Sequence, residues 1–169
     1  MPWESAREIS ISEFFQQYSI HDSDWITLSL NLEFYKTAIL TIRWYYQYGA
    51  LGHAISIERK KGNIGPHQGI VGLMSHDEVE IFKTIRPEYA TLLIKIENIQ
   101  NIAISPEDNT LINDRWGMFW GGIGAGYPQE RDGKHALVVT ANMGGDVTII
   151  FNGKTFFLAL DDDKKVIEI

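Results

Sequence analysis

Residues 25–33 alternate: Ile26, Leu28, Leu30 and Leu32 fall on one side, and Thr27, Ser29, Asn31 and Glu33 on the other. A period of two is the mark of a strand with one buried and one wet face. Residues 31–36 contain a turn, and residues 37–46 then repeat the pattern, with Ala38, Leu40, Ile42, Trp44 and Tyr46 opposite Ile39, Thr41, Arg43 and Tyr45. Two such strands in succession predict an antiparallel pair, and a chain built around it must cover one face of a sheet.

The rest of the chain supplies the cover and further strands. Residues 10–18 read as a short helix with Ser10 as cap and Glu13 completing a capping box, presenting Ile11, Phe14, Phe15 and Tyr18 along one side. Residues 75–85 read as a second helix, capped by Ser75, carrying Val79, Phe82 and Ile85, and stopped by Pro87. Strands are expected over residues 54–59, ended by Arg59, Lys60, Lys61 and Gly62, and over 90–104 with a turn near 98–101. Residues 136–142, 146–151 and 154–160 complete the set. Asn152-Gly153 between the last two is the strongest hairpin signal, because a type I′ turn wants φ > 0 at both central residues. The expected architecture is α+β, a mostly antiparallel sheet of about seven strands with one or two short helices. With 169 residues, 44% of them hydrophobic, one domain spanning residues 1–169 is expected, with a core sufficient to fold without staples.

Several functions are excluded or disfavoured by composition. The chain has no cysteine, which removes disulfides, zinc–thiolate sites, iron–sulfur clusters and thiol nucleophiles. No basic segment precedes an apolar run, and no stretch approaches the ~20 apolar residues of a membrane span, so a cytoplasmic protein is expected. The net charge is −7, with 7 basic and 10 acidic residues in positions 1–85 and 8 and 12 in the remainder. Acidity spread in this way disfavours nucleic acid and suits a basic protein partner as well as simple solubility.

No motif makes a catalytic or metal site. His21-Asp22 and His76-Asp77 have the residue types of a metal pair, but too few helices are predicted to bring further ligands, and turn or capping roles fit better. His21, His53, His67, His76 and His135 include no helical i, i+4 pair. The glycine run from 121 to 126 fails as a dinucleotide fingerprint, since Tyr127 and Pro128 stand where a helix should run, and it reads as a surface loop. Serine lacks a nucleophile-elbow context, and no carboxylate pair is placed to share a proton. No catalytic residue and no cofactor is expected.

The aromatic segment around that loop is the expected binding surface. Trp116, Phe119, Trp120 and Tyr127 provide aromatic anchors, and Asp108, Asp114, Glu130 and Asp132, with Glu107, provide an acidic rim. The alternative is that these rings pack the loop onto the sheet.

The short helix from Phe14, the run His21-Asp22-Ser23-Asp24-Trp25-Ile26, the alternating strand after it, and Ile39-Leu40-Thr41-Ile42-Arg43-Trp44 together resemble small bacterial immunity proteins of polymorphic toxin and contact-dependent inhibition systems. The resemblance covers about thirty residues. It implies a cytoplasmic protein that binds and neutralises one cognate toxin domain stoichiometrically, with no catalytic residues to carry over. An acidic inhibitor would also associate faster with a basic toxin. A β-rich carbohydrate-binding module using Trp116, Trp120 and Tyr127 is the second expectation. A hydrolase, which would need a deep pocket with a perturbed group, is the third.

Overall fold

A computed structural model describes residues 3–31, 36–65, 73–105, 122–142 and 145–169. Within them a single 3₁₀ turn (Trp3–Ser5) leads to β1 (Arg7–Glu8), α1 (Ile11–Gln17), β2 (Asp24–Asn31) and β3 (Thr37–Trp44). A one-turn helix, α2 (Tyr46–Gly49), runs into α3 (Leu51–Lys60), followed by α4 (His76–Thr84). The remaining strands are β4 (Ala90–Ile96), β5 (Ile99–Ser105), β6 (Ile123–Arg131), β7 (Lys134–Ala141), β8 (Asp146–Phe151), β9 (Thr155–Leu160) and β10 (Val166–Ile167). The class is α+β as expected, but among the described residues ten strands stand where about seven were predicted, and they form two antiparallel sheets instead of one.

The first sheet runs β1-β9-β4-β3-β2, with β10 also paired to β9, and the second runs β5-β8-β7-β6. Their apolar faces meet in one core. Leu40, Ile42, Trp44, Leu92, Ile94 and Phe157 come from the first sheet, and Leu137, Val139, Val147, Ile149 and Phe151 from the second. The alternation in β3 is observed as predicted, with Ala38, Leu40, Ile42 and Trp44 all buried. Its partner β2, at the edge of the sheet, departs from the prediction: none of its residues is buried, Leu30 is 49% exposed, and a register shift between Trp25 and Thr27 leaves Ile26 51% exposed while Trp25 pairs with Ile42.

Both helix-capping predictions hold. Ser10 Oγ accepts from the Glu13 N–H, and the Glu13 carboxylate accepts from the Ser10 N–H, at 3.1 Å each. Ser75 and Glu78 repeat this at 3.2 and 2.9 Å, and Glu78, itself buried, also pairs with Arg59 at 3.2 Å to tie α4 to α3. Each box satisfies two donors that a helix start leaves open.

The predicted hairpin at Asn152-Gly153 is not formed. β8 pairs with β5 and β7 in one sheet, while β9 pairs with β4 and β1 in the other. The chain therefore crosses between sheets at this point, and neither Asn152 nor Gly153 has φ > 0. The β4–β5 connection crosses beside it, turning at Glu97 and Asn98 instead of folding back on itself, with Asn98 at φ 55°. Residues 90–105 and 146–160 thus form one antiparallel ribbon bent at a shared corner. The Asn98 amide donates to the Asn152 carbonyl at 2.8 Å, the Asn152 N–H to the Asn98 carbonyl at 3.1 Å, and the Glu97 N–H to the Lys154 carbonyl at 2.9 Å. A Cβ on Gly153 would lie 2.4 Å from the Glu97 carbonyl oxygen. Glycine is required there for close approach, not for a left-handed backbone.

The type I′ geometry occurs elsewhere. Asp132 (φ 52°) and Gly133 (φ 74°) join β6 to β7, with Arg131 opposite Lys134. The glycine-rich run predicted as a loop is, from Ile123 onward, the start of β6. Its glycines serve packing: a Cβ on Gly126 would come within 2.3 Å of Ile20 and 3.1 Å of Phe15. The strand predicted over residues 54–59 is part of α3. Leu51 and Ile55 bury one helical stripe while Arg59 and Lys60 occupy the last turn, where cations suit the helix dipole. Ala50 offers no side-chain cap, so the start carries no local signal. With α2, α3 and α4 there are more helical segments than the one or two predicted. No helix among the described residues is long and apolar enough to cross a membrane.

Candidate partner-binding surface

At one end of the first sheet, four rings and a guanidinium form a continuous ladder. Arg43 lies over the Tyr89 ring at 3.9 Å, Tyr89 stacks on Tyr45 at 5.1 Å, Tyr45 on Tyr48 at 6.0 Å, and Tyr48 meets His21 at 5.9 Å. A carboxylate closes each end. Asp24 pairs with Arg43 at 3.2 Å, and Asp22 with His21 Nδ1 at 3.1 Å. Tyr48 is 42% exposed, and Arg43, His21, Asp22, Asp24 and Glu88 are exposed as well.

The surrounding backbone fixes these side chains. Arg43 and Tyr45 project from β3 and its end, on the side opposite Ile42 and Trp44. The Tyr45 N–H donates to Ser23 Oγ at 2.9 Å, and Ser23 is fully buried. Asp22 takes a left-handed conformation (φ 59°), its N–H donates to the Ile123 carbonyl at 3.0 Å, and the Ile123 N–H donates to the Ser23 carbonyl at 2.7 Å. The turn therefore ties β6 to the base of the ladder. Below it, Trp44 Nε1 donates to the Ser19 carbonyl at 2.7 Å, the Ser19 N–H to the Gly49 carbonyl at 2.9 Å, and the Gln47 N–H to the Glu88 carbonyl at 3.1 Å. The backbone around Tyr45 and Tyr48 is thus tied to neighbouring segments of the fold, while the His21 N–H donates to Ser19 Oγ at the surface, at 3.1 Å.

The electrostatics suit a cation. Partial burial pushes the Tyr45 phenol above its ordinary value, with Glu88, Tyr89 and Asp22 adding to the effect, so the ring stays neutral at pH 7. Around the ladder Asp22, Asp24 and Glu88 outnumber Arg43. Neutral electron-rich ring faces beside carboxylates bind guanidinium or ammonium groups. The outward ion pairs themselves add little to stability, because both partners of the Asp24–Arg43 pair are about half exposed.

Away from the ladder, a concavity lies beside the start of α1. It has a volume of about 720 Å³, with Ile9, Ile11 and Phe151 in its floor and Glu8, Glu130 and Lys154 among its rim residues. Glu8 is already paired with Lys154 at 3.0 Å, and Glu13 is committed to its capping box. Among the described residues, no three His, Asp or Glu side chains stand close enough to share a metal ion.

Of the residues predicted to bind a partner, Trp116, Phe119, Trp120, Asp108 and Asp114 lie outside the described residues. The other three do not converge. Tyr127, opposite Val138, lies on the outer face of the second sheet and is 41% exposed, whereas Glu130 lines the concavity beside α1, and Asp132 sits in the β6–β7 turn. The ladder was missed because its members come from three separated stretches. Tyr45 and Tyr48 are close enough in sequence to notice, but nothing local says that Tyr89 and His21 join them. The one legible sign was Arg43 and Tyr45 on the polar side of a strand.

The chain matches no protein-family model, and no curated protein or solved structure is significantly similar to it.

Proposed function

We propose that this chain is an immunity-type protein that neutralises a cognate bacterial toxin domain in the cytoplasm by stoichiometric protein–protein binding. One observation carries the reading: an exposed tyrosine–arginine ladder with an acidic surround, anchored by the partly buried bond from the Tyr45 N–H to Ser23 Oγ. Tyrosine and arginine are the side chains that dominate interface energetics, because they offer large contact area at low entropic cost. A preformed arrangement also spares the ordering cost of association. The net charge of −7 would speed encounter with a basic partner and opposes binding to nucleic acid. The resemblance of residues 14–44 points the same way, and the ladder draws His21, Arg43 and the Asp22 and Asp24 carboxylates from that stretch. In this reading the protein needs no cofactor and performs no turnover.

The test is co-expression. Each protein encoded beside this one would be produced alone and together with it in a bacterial host. Growth arrest by one neighbour, relieved by this chain and accompanied by a 1:1 complex on size-exclusion chromatography with light scattering, is the expected outcome. If a neighbour arrests growth and this chain neither relieves the arrest nor binds it, the proposal fails.

A further inference from the structure

The two ends of the ladder share one design. At one end a planar cation, Arg43, covers the outer face of Tyr89 while Asp24 accepts from its Nη1 at 3.2 Å. At the other, the His21 ring meets Tyr48 at 5.9 Å, tilted by 48°, while Asp22 contacts its Nδ1 at 3.1 Å. Both ends thus combine an aromatic face, a planar nitrogen group and a carboxylate. Both side chains are about half exposed; the difference is in the backbone, since Arg43 belongs to a strand inside the sheet, whereas His21 sits in a turn, against the most exposed tyrosine of the ladder.

Building on the immunity reading, we propose that the Tyr48–Asp22 end is a receptor for an arginine side chain of the protein partner. The guanidinium takes the position His21 holds in the free protein, stacking on Tyr48 and donating to Asp22 as Arg43 does on Tyr89 and Asp24. Arginine fits better than lysine for a geometric reason. A planar fork can stack on a ring and bond a carboxylate at once, whereas an ammonium is a compact point charge without a stacking face. The acidic surroundings favour either cation over an anionic or neutral group, and shape decides between them. The imidazole must be displaced without unfolding the turn, and the turn is held by backbone bonds: the Asp22 N–H to the Ile123 carbonyl, and the Ser23 N–H to the Ile20 carbonyl at 3.2 Å. Movement of the His21 side chain therefore leaves the scaffold in place.

The experiment needs no toxin, so its failure is distinct from failure of the immunity reading. The full chain is titrated with a blocked tri-arginine peptide and separately with blocked tri-lysine, following the aromatic ring resonances by NMR. Saturable shifts of Tyr48 and His21 with tri-arginine, and an affinity for tri-lysine about fivefold weaker, are expected. Tyr48→Leu and Asp22→Asn should each weaken tri-arginine binding by about fivefold or more, while core methyl resonances show that the fold is kept. Equal response to both peptides, shifts that persist in Tyr48→Leu, or no saturable shift would each overturn the proposal. If Asp22→Asn disturbs the turn, Tyr48→Leu decides alone, since Tyr48 is exposed and lies outside the turn.

Discussion

Phe14→Ala is expected to destabilise the protein by about 3–5 kcal/mol, the range for removing a fully buried ring. Phe14 is 0% exposed and is the ring through which α1 locks both helix and sheet. It stacks on Phe157 at 4.2 Å and on Tyr18 at 5.2 Å, meets Phe15 edge-on at 5.2 Å, and lies 5.8 Å from Trp44. Truncation leaves a cavity lined by four rings that cannot all collapse into it, and it removes the aromatic pair geometry as well as the buried area. Urea unfolding followed by tryptophan fluorescence would measure this as a lower midpoint at unchanged slope. Phe14→Leu should lose clearly less, because most of the volume stays. An equal loss for both variants would mean that shape at this position, and not volume, carries the energy.

Gly153→Ala is expected to cost about 1–3 kcal/mol, the usual penalty for overpacking. The added methyl would meet the Glu97 carbonyl, a backbone atom, at 2.4 Å. That carbonyl has little freedom to retreat, since the Glu97 N–H is bonded to Lys154 and Asn98 is bonded to Asn152 on both sides of the corner. Gly52 is the natural control. It lies in α3 with no neighbour within 4 Å of a built Cβ, so Gly52→Ala should stabilise by about 0.5–1 kcal/mol through helix propensity. The same urea series reads both. Loss of stability in Gly153→Ala beside a gain in Gly52→Ala supports the corner, and an unchanged midpoint for Gly153→Ala contradicts it.

Phe14 and Gly153 mark where local patterns suffice and where they do not. Phe14 was legible as core because the helix from Ser10 announced itself with a capping box and an apolar side, both local patterns. β3 was legible for the same reason: every second side chain is apolar over eight residues. Asn152-Gly153 was misread because the dipeptide reports a bend, not the partner of the strand beyond it. Whether two successive strands pair or separate into facing sheets depends on where residues 90–105 run, some fifty positions away. α3 carries an ambiguous local pattern, since Ile55 and Ile57 alternate with Ser56 and Glu58 as they would in a strand and no side-chain cap marks its start. In β6, Gly126, which looks like loop punctuation, is cut to fit Ile20 and Phe15. The ladder lies further still from local legibility, since it needs the sheet, α2 and the His21 turn to be in place before its rings meet.

Action by occupying a partner and not by turnover, as we propose, is tested most directly by a titration. The toxin identified by co-expression would be held at fixed concentration and its activity measured against increasing amounts of this chain, at short and long incubation. Stoichiometric neutralisation predicts activity falling in a straight line to zero at one equivalent, identical at both times. Complete loss of toxin activity at a small fraction of an equivalent, deepening with time, would contradict the account and make the protein an enzyme acting on the toxin.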